Sequence, residues 1–370
     1  MAFKRGYSLI GLDLGETSAK MVQLRADGKR GWGLHAVSRV GDGREQDEQA
    51  RLSMIKRMLA EQHFVGRKVA TVLRRADVLI RPVKVSGSVE QEDRRAVWEA
   101  LKSEARRYLP YPPEKAVLDF LTVGKVHDDE EEKLEVLLVS APEDKVNQHI
   151  SLLRSAGLHC VCIDIVPCTV LRVAQGSVGG DLQDAVVVVE IGERATVVSI
   201  SRADQLLFSR SVNTGGGMLT DAIADELGLA LEKAERFKRT YGIDHRGTVN
   251  AELSDETKLS PSNIPATLYE LCQDELDGLA REIRRSVEYF ATQFREIKVE
   301  KAVLFGGGAN LKGLTDFLGD QTGLEVRVGD PFAAVRTGNG RLAQVVTEDK
   351  ASFAVALGLA SRKERGTWST

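Results

Sequence analysis

The sequence predicts an α/β protein of two similar domains with a smaller unit inserted into the first. Three observations carry that expectation. Near the start, an apolar run leads into Asp13-Leu14-Gly15 and leaves through Met21, Val22 and Leu24, which reads as strand, tight turn, strand. The pattern returns in the second half. There, the near-continuous β-branched run Ala185 to Ile191 has the composition of a strand buried on both faces; it runs through Glu190-Ile191-Gly192 and is followed by Val197 to Ile200 and Leu206 to Ser211. A repeated hairpin of this kind implies two related domains facing one ligand, and 370 residues exceed what a single ordinary core holds.

The elements follow in order. After the opening hairpin, Trp32 to Val40 is a third strand and Gly41-Asp42-Gly43 a turn. A helix carries Ile55, Met58 and Leu59 on one face, and Val69 to Leu73 and Val78 to Val85 are strands. Ser88-Val89-Glu90-Gln91 has the form of a capping box. It opens a helix with Val97, Leu101, Ala105 and Tyr108 on one side, and Leu109-Pro110-Tyr111-Pro112-Pro113 forbids continuation. Ala116 to Val123 and Leu134 to Ser140 are strands around the acidic loop Asp128 to Glu132. A helix from Pro142 to Ala156 and a strand through Cys160 and Cys162 complete an αββαβ unit. The chain resets near Gly180 into the second hairpin. Asn213-Thr214-Gly215-Gly216-Gly217 opens a helix to Leu227, and a second runs to Tyr241. Thr248 to Asn263 is polar, and a long helix is expected from Leu268 to Phe294. The buried strand ending Val303-Leu304-Phe305 meets Gly306-Gly307-Gly308 before a helix over 313–321, and Phe353 to Arg362 closes the chain.

Composition narrows the class. With 42% hydrophobic and 28% charged residues the chain is an ordinary globular protein. A net charge of -3, without a basic stripe interleaved with aromatics, argues against nucleic acid as a partner. The first strand follows Met1 to Gly6 too closely for a signal peptide, and the apolar run Ala185 to Val189 is too short to cross a bilayer, so a cytoplasmic protein is expected. Of the four cysteines, Cys160, Cys162 and Cys168 cluster beside His159. Their alternation fits a half-buried strand better than a zinc site.

The candidate chemistry is anion binding. Gly15 lets backbone approach a ligand, Thr17 and Ser18 add hydroxyls and Lys20 a cation, which together suit phosphate. Asp13 beside phosphates calls for an intervening cation such as Mg²⁺. Glycines between a strand and a helix, as at Gly306, Gly307 and Gly308, let a flat base or a phosphate lie against bare backbone. Glu235 and Lys238 share a helical face and by themselves read as a surface ion pair.

Two acidic-x-Gly hairpins, Ala234-Glu235-Arg236-Phe237-Lys238 and a late Gly-Gly-Gly turn, in this order, resemble the actin/Hsp70/sugar-kinase ATPase superfamily. Within it the chain resembles the PilM family of type IV pilus assembly proteins, relatives of the cell-division protein FtsA. The likeness also runs through Arg107 to Pro112, Ala156-Gly157-Leu158 to Asp164, Gly228-Leu229 to Lys238, and Val355-Ala356-Leu357-Gly358-Leu359-Ala360. It implies a two-domain actin-like (ribonuclease-H-like) ATPase fold with an FtsA-type inserted subdomain. The expected divisions are 1A (1–85 plus 166–180), inserted 1C (86–165), 2A (181–214 plus 301–370) and helical 2B (215–300).

The resemblance implies ATP and Mg²⁺ as cofactors. Asp13, Gly15, Thr17, Ser18 and Lys20 would form the first phosphate loop, with Asp13 touching Mg²⁺ through water. Glu190, Gly192 and Thr196 would form the second, followed by Gly215 and Gly216. Glu235 and Lys238 would hold the ribose and base edge, and Gly306, Gly307 and Gly308 would pack under the adenosine. One departure stands out: the second loop normally begins with Asp, and the longer Glu190 disturbs how Mg²⁺ or its waters are held. Nucleotide binding with slow or absent hydrolysis is therefore expected. The family further implies a scaffold on the inner face of the membrane, holding the N-terminal cytosolic peptide of a PilN-like bitopic protein near Tyr108, Leu109, Pro110 and Tyr111. Other pilus platform or motor proteins are further candidate partners, and membrane contact would run only through partners. An FtsA-like polymerising anchor would end in an amphipathic helix, which Ser361 to Thr370 does not resemble. A sugar or acyl kinase would need a substrate-facing carboxylate base, for which no cluster is present.

Overall fold

The computed structural model describes residues 6–28, 31–41, 47–85, 93–128, 131–178, 184–247, 263–338, 340–347 and 349–362. The Ser88–Gln91 signal, nearly all of Thr248–Asn263 and the tail beyond Arg362 lie outside them.

The first lobe begins with β1 (Ile10–Leu14), β2 (Ser18–Ala26), β3 (Trp32–Gly41), α1 (Glu48–Glu61) and β4 (Lys68–Val72). The inserted unit follows as β5 (Leu79–Val85), α2 (Arg94–Tyr108), β6 (Ala116–Asp128), β7 (Glu131–Pro142) and α3 (Glu143–Ser155). The Asp93 carboxylate caps α2 by accepting from the amides of Arg95 and Ala96. The chain returns through β8 (His159–Asp164) and α4 (Val166–Val178). The second lobe holds β9 (Ala185–Ile191), β10 (Thr196–Arg202), β11 (Gln205–Val212), α5 (Gly216–Leu227), α6 (Leu231–Tyr241), α7 (Ile264–Leu271), α8 (Gln273–Gln293), β12 (Val299–Phe305), α9 (Leu314–Thr322) and β13 (Glu325–Val328). The chain then crosses back with β14 (Val335–Arg336), α10 (Arg341–Thr347) and α11 (Ala354–Ala360).

The internal repeat is visible in the sheets. The first has the order β14-β3-β2-β1-β4-β8 and the second β11-β10-β9-β12-β13. Each is built from an antiparallel hairpin strand pair, then parallel neighbours on the far side. The hairpin turns close alike: the Gly15 amide donates to the Ser18 carbonyl, and the Gly192 amide to that of Ala195, both at 3.0 Å. A third, three-stranded sheet, β5-β7-β6, forms the inserted unit.

Between the two large sheets lies one apolar layer. Val22, Val37 and Ala70 of the first sheet and Val186, Val188 and Phe305 of the second pack on the same helices, α4 and α11. The approach is close enough to require glycine. A Cβ on Gly11 would stand 2.0 Å from the Ala356 carbonyl oxygen, and one on Gly358 1.9 Å from that of Thr169. This double-sided burial explains why α11 is apolar on every side.

Several expected boundaries move. β5, expected in 1A, pairs with β7 in the inserted sheet. β8, expected in the inserted unit, pairs with β4 at the edge of the first sheet. Of the C-terminal elements expected in 2A, β14 pairs with β3 and α11 packs against the first sheet. Local pattern finds strands but not their neighbours, because pairing is decided by long-range burial. The expected helix over 268–294 is two helices meeting at Cys272, whose amide donates back to Leu268 and Tyr269. The cysteines pack apart: Cys160, Cys162 and Cys168 each lie against a different apolar cluster. Burial pushes the Cys160 thiol up to about 11 and the Cys168 thiol to about 12, so both are neutral packing groups.

Candidate functional site

The turns of both hairpins open into one cleft of about 350 Å³ between the lobes. From the first hairpin come Asp13, Gly15, Glu16, Thr17, Ser18 and Lys20; from the second, Glu190, Gly192 and Glu193. Pairing in β1–β2 sets Asp13 directly across from Lys20, with the ammonium 3.8 Å from the carboxylate and 3.0 Å from the Ser18 hydroxyl.

The N-terminus of α5 is seated against the second hairpin. The Gly216 amide donates to the Gly192 carbonyl and the Gly217 amide to the Glu193 carbonyl, both at 2.8 Å. Side chains at Gly215 and Gly217 would collide with Glu193 at 2.4 and 2.2 Å, so this docking requires bare backbone. At Gly216 a Cβ would meet only ordinary contacts, beginning at 3.6 Å, and at Gly307 nothing within 4 Å. Both residues line the cleft, which is open where the Gly307 Cβ would stand.

Helix α6 adds the Glu235–Lys238 pair. The Lys238 ammonium donates to the Gly216 carbonyl, the Thr220 hydroxyl and the Glu235 carboxylate, each at 2.6 Å. Its three protons are thus satisfied within the protein, and its direct work is to pin the first turn of α5. Burial acts to raise the Glu235 carboxyl, but Lys238, Thr220 and Arg239 outweigh it and hold the group at about 2. The far wall is apolar, formed by Leu276, Leu279, Leu311 and Leu314.

Two expected residues stand back from the cleft. Thr196 occupies the first paired position after its turn, as Ala19 does in the first hairpin. It is buried, and its hydroxyl donates to the Thr214 carbonyl at 2.6 Å, which ties the hairpin to the approach of α5. Gly306 lies beneath the cleft floor, where a Cβ would be 2.3 Å from the Ile191 carbonyl oxygen. Both shape the site rather than line it.

Sequence reasoning missed the charges that cross the cleft. Arg75, in the short 3-10 turn after β4, forms an ion pair with Glu190. Burial pushes the Glu190 carboxyl up, with Asp13 adding to the rise and Arg75 opposing it. Arg39 of β3 pairs with Asp349, which also accepts from the Asn310 amide nitrogen. No motif marks these residues; only the folded lobes bring them together.

A second cavity, of about 670 Å³, lies beside the first and shares Arg75 as a wall. It is lined by β5 and β11, edge strands of the inserted and second sheets, and by Ile165, Pro167 and Tyr289. Tyr108 and Tyr111 are elsewhere; the Tyr111 hydroxyl is held at 2.6 Å by that of Ser140.

Two related sheets closing on one cleft, with a third sheet inserted in the first lobe, form an actin-like ATPase fold. A family model for the type IV pilus assembly protein PilM matches residues 11–364. The chain belongs to the PilM family. It is similar to a solved PilM in a PilM–PilN type IV pilus biogenesis complex, with a TM-score of 0.77, 28% identity and coverage of 95% of this chain and 97% of that one. It shares the fold of the ethanolamine utilization protein EutJ from Carboxydothermus hydrogenoformans, with a TM-score of 0.55, 13% identity and coverage of 97% and 90%. Over 174 residues it is 26% identical to the cell shape-determining protein MreB of Escherichia coli, covering 43% of this chain and 50% of that protein. The chain thus matches about half the length of its curated relatives. No helix among the described residues of this PilM-family chain is long and apolar enough to cross a membrane.

Proposed function

We propose that the chain is a cytoplasmic, ATP-binding scaffold of the type IV pilus inner-membrane platform, holding the N-terminal tail of a PilN-like membrane protein while ATP tunes its conformation. The observation that carries the nucleotide reading is the cleft. Two hairpin turns, the first turn of α5 and the Gly307–Asn310 turn converge on it, and an alanine methyl at Gly307 would project into open space. Lys20 supplies cationic charge for phosphates, and the leucine wall suits a base. Asp13 would hold Mg²⁺ through water, the ion serving to neutralise phosphate charge. Glu190 does not fit that role, because its carboxylate is taken by Arg75. With one carboxylate lost to an ion pair, metal and water are poorly placed for attack, and turnover is slow or absent.

The partner reading is supported by the likeness to the PilM–PilN complex and by the larger cavity. Two strand edges left unpaired among the described residues, beside an apolar floor, suit an extended peptide, which adds backbone hydrogen bonds to an edge and seats alternate side chains in pockets. On this reading the peptide lies between β5 and β11 rather than at Tyr108 to Tyr111. Membrane attachment then runs through the partner, at the cytoplasmic face of the inner membrane.

Calorimetric titration of the full chain tests both halves. ATP with Mg²⁺ should bind and Asp13→Ala should weaken it, with no phosphate release over hours. A synthetic peptide of the PilN-like tail should bind wild type and lose affinity in Tyr289→Glu, at a position 39% exposed and so tolerant of the change. Rapid phosphate release would overturn the scaffold reading, and equal peptide affinity in Tyr289→Glu would move the groove elsewhere.

A further inference from the structure

The two hairpins answer their acidic residues differently. Asp13 faces Lys20 across its own strand pair, whereas Glu190 faces Val197 in the corresponding place. The counter-charge for Glu190 comes instead from the other lobe. Arg75 reaches over from the turn after β4, and its guanidinium pairs with Glu190.

The second hairpin is shaped as a socket for that group. A Cβ on Gly192 would lie 2.8 Å from Nη1 and 2.9 Å from Cζ of Arg75, so the guanidinium rests on bare backbone. The acid-x-Gly signature of Glu190-Ile191-Gly192 therefore holds an arginine. Arg75 is 17% exposed, lines the cleft together with Asp13 and Lys20, and its Nε has no hydrogen-bond partner among the described residues. A delocalised cation with a fixed fork of donors matches a phosphate better than a lysine does.

We propose that Arg75 is the phosphate-facing cation of the second hairpin and takes the place of the metal there, so that nucleotide binding by this chain does not require Mg²⁺. This rests on the nucleotide reading of the cleft. The usual reason for a metal between carboxylate and phosphate is charge: two anions cannot share a site without a cation between them. At Asp13 that need remains in part, since Lys20 is 3.8 Å away rather than in contact. At Glu190 the longer side chain meets a guanidinium, whose charge at the cleft wall offsets that of the carboxylate and of a phosphate beside it. Glu190 and Arg75 then act as one unit.

The test is titration of the full chain with ATP, once in excess Mg²⁺ and once in EDTA. Wild type should lose less than about threefold in affinity on removal of the metal. Arg75→Met, which keeps the length and loses the charge, should lose at least tenfold in EDTA and recover part of it in Mg²⁺. Arg75→Lys, which keeps a cation at this site even if the methionine variant folds poorly, should behave between the two. A tenfold or greater loss in wild type on adding EDTA overturns the proposal while leaving the cleft a nucleotide site. So does an Arg75→Lys or folded Arg75→Met protein that matches wild type in EDTA. Absence of ATP binding under both conditions overturns the nucleotide reading itself, and this inference with it.

Discussion

Alanine placed in turn at Gly306, Gly307 and Gly308 should give three different proteins, although the chemical change is identical. At Gly306 the backbone has φ of +88°, and a Cβ would stand 2.3 Å from the Ile191 carbonyl oxygen and 2.7 Å from Glu190 Oε1. With ψ of 172° this is a backbone region that essentially only glycine adopts, costing an L-residue about 1–3 kcal/mol, and overpacking against backbone adds about 1–3 kcal/mol. Gly306→Ala should therefore lose about 2–6 kcal/mol, the sum of those two ranges. At Gly308 the obstacle is the Ile191 side chain at 2.3 Å, itself buried, and only the overpacking cost of about 1–3 kcal/mol applies. At Gly307 a Cβ meets nothing within 4 Å. Its alanine should fold with wild-type stability and fill part of the cleft.

Urea denaturation ranks the stabilities, read at the first transition because two lobes need not unfold together. Titration with ATP reads the site: Gly307→Ala should bind about tenfold more weakly, the scale on which a single methyl is felt in a fitted pocket. A Gly306→Ala protein as stable as wild type would refute the packing argument. A Gly307→Ala protein with undiminished ATP affinity would mean that the nucleotide does not lie on this turn.

Two further outcomes follow from buried charge. Lys238→Met removes the ammonium from the Gly216 carbonyl, Thr220 and Glu235 together. The Glu235 side chain is 36% exposed, so solvent screens part of the loss, and about 1–3 kcal/mol is expected by denaturation; ATP affinity should fall as the α5 turn loosens, and a variant equal to wild type in both would sink the pinning role. His149 is 9% exposed and hydrogen-bonded to Thr71 at 3.1 Å. Burial, aided by the Arg51 charge, lowers it from 6.5 to about 4. Because the unfolded chain takes the proton first, the stabilisation is complete above about pH 6.5 and is lost as pH falls toward 4, at about 1.4 kcal/mol per pH unit at most. Denaturation at pH 7 and pH 4.5 should differ by about 2–3 kcal/mol more in wild type than in His149→Gln; equal differences would exclude His149 as the titrating group.

Much of the fold could be read from local pattern, since each lobe begins with a strand, an acid-x-Gly turn and a returning strand. The β-branched run Ala185 to Ile191 gave β9, and the three glycines after Phe305 gave the turn at the cleft floor. Helix α4 could not be read in the same way. Its Val-Pro-Cys-Thr start has no capping signature, and it is buried between two sheets, so its apolar residues show no single face. The short β14 exists only because β3 lies beside it. Arg39, Arg75 and Asp349 were invisible for the same reason: each is defined by a partner in a distant part of the chain.

The divergence between the hairpins shows where pattern reading stops. Asp13-Leu14-Gly15 and Glu190-Ile191-Gly192 match by letter, and their turns close with the same hydrogen bond. Their glycines share one task, and the second has another besides. A Cβ on Gly15 would meet the Ser18 carbonyl oxygen at 2.8 Å and one on Gly192 that of Ala195 at 2.9 Å, each a contact inside its own turn; on Gly192 it would also meet the guanidinium of Arg75 from the other lobe. Both glycines serve local geometry, and only the second also serves a contact 117 residues away in sequence. A motif records the residue type that both constraints demand, and only the folded chain separates them. The chemistry assigned to a repeated motif therefore has to be argued from what each copy faces: Lys20 in the same hairpin for one, and a cation delivered across the cleft for the other.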